Sequence, residues 1–113
     1  MLRMDIQQSN LSKMKIVKVE YQVNPEYVET NKQNIVKVMD ALKKQGTTSF
    51  KYSSYYLAEG KFMHFNVTKK DNFSELNDLQ EFKDFQMALK ASQPPVPPKA
   101  IDLELVGSNM DLI

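Results

Sequence analysis

The chain has 113 residues, 42% hydrophobic and 26% charged, and its 15 basic and 14 acidic side chains leave a formal net charge of +1. That length suits one compact domain and is too short for two, and the composition is that of a folded chain. With no basic excess there is no pull toward nucleic acid or an anionic membrane, and with no cysteine disulfides, thiolate nucleophiles and cysteine-held zinc or iron–sulfur sites are excluded.

Residues 1–13 are polar and aperiodic and read as a flexible extension. They lack the apolar centre of a signal peptide, and no run in the chain approaches the ~18 apolar residues of a membrane span. A cytoplasmic protein is the expectation. The domain is expected over 14–107, with 108–113 as a C-terminal tail.

Residues 15–23, KIVKVEYQV, alternate strictly and predict a strand, with Val17, Val19, Tyr21 and Val23 on one face. Asn24-Pro25 then opens a helix over 25–45, with Asn24 as its cap and Gly46 just past its end. Residues 49–58 and 61–68, SFKYSSYYLA and KFMHFNVT, alternate around the Glu59-Gly60 turn and predict a β-hairpin. A short helical turn is expected at 74–77 and a second helix over 77–92. The PPVPPK run at 94–99 reads as a stiff connector, ahead of an SH3 or WW ligand. Residues 100–106, AIDLELV, supply the last strand.

The order β-α-β-β-α-β predicts an α+β, ferredoxin-like fold with a four-stranded antiparallel sheet in the order 4-1-3-2 and both helices on one face. Apolar parity assigns Met63, Phe65 and Val67, with Ile101, Leu103 and Leu105, to the helix-covered face. Glu20, Phe62, His64, Asn66 and Glu104 are then expected on the opposite face. Two such faces closing on each other would make a homodimeric α/β barrel with a lumen.

The runs Tyr56-Leu57-Ala58-Glu59-Gly60, Phe62-Met63-His64, Phe82-Lys83-Asp84-Phe85-Gln86 and Pro94-Pro95 resemble an uncharacterised branch of the dimeric α/β-barrel, antibiotic-biosynthesis-monooxygenase-like superfamily. The resemblance covers residues 15–107 and implies the fold more strongly than a function, since relatives include oxygenases, isomerases and haem-degrading proteins. Haem degradation in such relatives uses a helix-borne histidine and a tryptophan; this chain has no tryptophan and neither predicted helix carries a histidine.

His64, the sole histidine, is the candidate catalytic base, because its ordinary pKa lies near neutrality. On the expected face a carboxylate, Glu20, would orient it. Ligand-binding candidates are Glu20, Tyr56, Phe62, His64, Asn66 and Glu104. A metal held by His64, Glu20 and Glu104 is conceivable, but the donor set is poor, and neither metal nor cofactor is expected. Nucleotide-loop, nucleophile-elbow and HExxH motifs are absent. Three functions stay open: a dimer enclosing a pocket for a small organic molecule, a cofactor-independent monooxygenase or isomerase using His64, and a structural or interaction dimer without ligand.

Overall fold

The computed structural model describes residues 14–47, 49–69 and 74–110. The expected extension at 1–13 lies outside them, as does the end of the tail. Four strands, β1 (Met14–Gln22), β2 (Phe50–Tyr56), β3 (Lys61–Lys69) and β4 (Val96–Leu103), form one antiparallel sheet in the order β2-β3-β1-β4. This is the expected order counted from the other edge. The helices are α1 (Val28–Gln45), α2 (Ser74–Asn77) and α3 (Gln80–Ala91).

Local chemistry explains the element boundaries. Pro25 begins a short 3-10 turn that leads into α1, where its fixed φ is already helical and its missing N–H is not needed. Asn24 is extended but does not cap with its side chain; its Nδ2 donates instead to the Ser92 carbonyl at the end of α3. Gly46 closes α1 in the left-handed region, at φ 68°. Between β2 and β3, Glu59 and Gly60 both have positive φ and Lys61 N–H donates to the Ala58 carbonyl, which is the twist-matched two-residue hairpin turn. A Cβ at Gly60 would collide with the Val23 carbonyl oxygen.

The short turn expected at 74–77 is present and is separate from the second helix. Residues 74–77 make one turn, Asp78 and Leu79 break it, and α3 runs from Gln80. The final strand starts at Val96 rather than at residue 100, so Pro97 and Pro98 lie within it. Proline cannot donate to a ladder, and β4 tolerates it because β4 is an edge strand whose register shifts between Glu20 and Gln22 of β1.

Tyr21, Val23, Phe50 and Phe62 of the sheet region form one buried core with Ile35, Val38 and Leu42 of α1 and Phe82, Phe85 and Leu89 of α3. The α1 spacing of four, three and four across Asn31, Ile35, Val38 and Leu42 keeps one helix face inward. Each fully buried large apolar side chain contributes about 1.5–3 kcal/mol.

The register corrects the expected faces of β3 and β4. Val19 pairs with His64 and Tyr21 with Phe62, while Lys18 pairs with Phe65 and with Ile101. Directly paired residues share a face. Phe62, His64 and Asn66 therefore face the helices with Tyr21. Met63, Phe65, Val67, Ile101 and Leu103 lie on the open face with Ile16, Lys18 and Glu20. The expected pocket on the face away from the helices is correspondingly not where His64 is found.

Candidate functional site

His64 is 2% exposed and lies between the sheet and α3. Ser54 of β2 is directly opposite it, and Ser54 Oγ hydrogen-bonds His64 Nδ1. Tyr52 stands one diagonal step away, with its hydroxyl 3.3 Å from Nδ1. On the other side, the Tyr21 hydroxyl lies 2.6 Å from Nε2 and accepts from Asn31 Nδ2 at 2.9 Å. With Asn31 donating to the Tyr21 oxygen, the Tyr21 O–H donates to Nε2, and this network assigns the ring proton of a neutral imidazole to Nδ1.

Burial pushes His64 down from its ordinary 6.5 to about 4, because the imidazolium would lose its hydration. Burial likewise raises the Tyr21 and Tyr52 hydroxyls, so both phenols stay protonated at neutral pH. The imidazole stacks on Tyr21 at 5.3 Å and on Tyr52 at 5.7 Å, and meets Phe85 edge-on at 5.7 Å. Three aromatic rings thus fix its orientation together with its hydrogen bonds, and Phe82 in turn meets Tyr52 edge-on.

A cavity of about 390 Å³ opens beside this cluster. Its sheet wall carries Val19, Tyr21, Tyr52, His64 and Asn66; its helix wall carries Phe82, Phe85 and Leu89; Gln86, Lys90, Pro94, Pro97 and Pro98 complete the lining. Asn66 is 8% exposed, and its Oδ1 is covered without a hydrogen-bond partner. Among the described residues it is the one cavity-lining residue with such an atom.

The sequence-predicted residues divide. His64 and Asn66 line the cavity together. Phe62 is buried next to it, stacked on Tyr21 at 5.6 Å, and lines a second hollow of about 310 Å³ with Glu20, Lys61 and Lys99. Glu20 points from the opposite sheet face, in an ion pair with Lys18 at 3.1 Å, so it does not orient His64. Tyr56 lies away from the cavity: its hydroxyl accepts from Gly60 N–H at 3.0 Å, and Lys32 Nζ sits 4.4 Å over its ring. Glu104 is exposed beyond the end of β4. The conceived His64, Glu20 and Glu104 metal set is not assembled, and among the described residues no group of three acidic or histidine side chains is placed to hold a metal.

Tyr21, Asn31, Ser54 and Lys90 complete the site and were not singled out from sequence. Tyr21 and Ser54 carried a signal, since each follows the β-parity of the strand pairs that meet His64. Asn31 and Lys90 carried none.

No protein-family model and no curated protein sequence matches the chain. Solved structures do. A conserved protein from Methanosarcina mazei superposes with a TM-score of 0.69 at 12% identity, covering 86% of this chain and 97% of its own. A candidate antibiotic biosynthesis monooxygenase from Bacteroides thetaiotaomicron gives 0.68 at 8% identity, covering 91% and 99%. SnoaB, a cofactor-independent oxygenase from Streptomyces nogalater, gives 0.65 at 9% identity, covering 88% and 99%. The chain therefore has the ferredoxin-like fold of antibiotic biosynthesis monooxygenase-type proteins. At these identities the likeness carries the fold alone. Among the described residues no helix is long and apolar enough to cross a membrane.

Proposed function

We propose that the chain binds a small, largely apolar organic molecule in the cavity between the sheet and α3, with Asn66, Tyr21 and His64 at its floor. The observation that carries this reading is the Asn66 amide, whose covered oxygen has no partner on the wall of an aromatic cavity. Such a group costs about 1–3 kcal/mol while unpartnered. A ligand O–H or N–H removes that cost on binding, and the rings supply apolar contact on either side.

A second reading adds turnover without a cofactor. It is supported by the Tyr21–His64 hydrogen bond and by the fold shared with an oxygenase of that type. An activated CH₂ group would pass a proton to the Tyr21 oxygen as the Tyr21 proton moves to His64 Nε2. The carbanion would then react with dioxygen, one oxygen atom becoming the product carbonyl and the other leaving in water with both hydrogens. A base near pKa 4 is weak for this work: charging it at neutral pH costs about 4 kcal/mol. Binding therefore stands ahead of turnover.

The open sheet face, with Ile16, Met63, Phe65, Val67, Ile101 and Leu103, suits a second copy of the chain. A homodimer is part of the proposal.

Thermal melts with a library of small phenols and hydroxy-carbonyl compounds test the binding reading. Compounds are expected to raise the Tm of the wild-type protein and to lose that effect in Asn66→Leu. A library without hits would favour a dimer that takes no ligand. Dioxygen uptake in the presence of a hit separates turnover from binding.

A further inference from the structure

The cavity lining is polarised. His64 and Asn66 are buried at the sheet, whereas Gln86 and Lys90 are exposed side chains on α3, one turn apart. Among the described residues, Lys90 is the one formally charged residue lining the cavity. Its helical neighbours three and four residues before it are Met87 and Gln86, and those after it are Gln93 and Pro94, so no carboxylate stands where a helix would pair it. Among the described residues it has no ion pair. At the opposite pole stands Asn66, whose amide oxygen is covered and unpartnered. A ligand satisfying both poles carries a hydrogen-bond donor at one end and a single negative charge at the other, joined by a flat apolar body against Phe82 and Phe85.

We infer that the cavity selects a hydroxyl-bearing aromatic monocarboxylate, its hydroxyl directed inward to Asn66 and its carboxylate outward to Lys90. Lys90 is then the residue that sets specificity for the anion. This rests on the reading that the cavity is a ligand site. A lone exposed cation contributes modestly in water and is screened by salt, so the effect is a preference between acid and neutral ligand rather than an absolute requirement.

Calorimetric titration with para-hydroxycinnamate and with its uncharged methyl ester tests this in the wild-type protein, Lys90→Met and Lys90→Arg. The two probes share the phenol and the ring and differ in the anion. The wild type is expected to bind the acid about fivefold more tightly than the ester, as an exposed ion pair allows. That ratio is expected to fall to about one in Lys90→Met, to persist in Lys90→Arg, and to shrink with added salt. Equal affinities in the wild type, or a preference surviving in Lys90→Met, would overturn the inference while leaving the cavity reading intact. If neither probe binds the wild type, the cavity reading itself fails and the inference falls with it.

Discussion

The Tyr21 hydroxyl and His64 Nε2 lie 2.6 Å apart across 43 residues of sequence. They are diagonal neighbours on β1 and β3, since Val19 is the residue directly opposite His64. A diagonal pair is within reach of two aromatic side chains on one face. The contact turns a buried histidine, which apolar surroundings would penalise, into a partnered one, and it gives the cavity floor a defined proton position.

The depressed His64 pKa makes stability pH-dependent. The folded group titrates near 4 and the unfolded one near 6.5. Between those values the unfolded state binds more protons, so stability is full above about pH 7, falls as the pH drops through 6.5, and levels off near 4. The loss amounts to about 3 kcal/mol. Urea unfolding at stepped pH, comparing the wild type with His64→Gln, is expected to show this slope in the wild type and its loss in the variant. Identical slopes would mean that His64 is hydrated in the native protein.

Asn66→Leu is expected to stabilise the ligand-free protein. The substitution replaces a buried amide that lacks a partner for its oxygen with an apolar side chain of similar size, and the gain is about 1 kcal/mol. Chemical denaturation measures it. A residue that lowers stability while lining a cavity is the pattern of a binding group held at the expense of the fold. Destabilisation by Asn66→Leu would show that the amide is already satisfied.

Light scattering addresses the open face. The wild-type protein is expected at twice the chain mass and Phe65→Asp at the chain mass, because Phe65 stands at the centre of that face, with Tyr55 edge-on at 5.8 Å. A charge placed there would be buried without a partner in a dimer. A monomeric wild type would show that the open face takes no second copy of the chain.

Much of the fold is legible in the sequence because its determinants are local. The alternation of 15–23, the Asn24-Pro25 helix start, the Glu59-Gly60 turn and the helical spacing of Phe82, Phe85 and Leu89 each act within a few residues. The sheet order follows from the element order. The face of β3 is not legible in this way. One parity carries Phe62 with His64, Asn66 and Thr68, and the other carries Met63, Phe65 and Val67, so counting apolar residues favours the wrong side. What decides the face is register against β1 and β2, which brings the Tyr21, Tyr52 and Ser54 hydroxyls to His64. Those partners make it possible to bury a polar parity under the helices, and none is a sequence neighbour of His64. The prolines of β4 mislead for a related reason: they exclude a central strand, but not an edge strand paired on one side only.

The proposed ligand site lies on the helix-covered face of the sheet, with His64 and Asn66 at its floor. Side-chain NMR during titration with methyl para-hydroxycinnamate tests it most directly. Shifts are expected to concentrate at the Asn66 side-chain amide, the His64 ring and the Phe85 ring, saturating together with a single affinity. Shifts confined to Met63, Phe65 and Val67, with Asn66 and His64 unmoved, would place the site on the open face and contradict it.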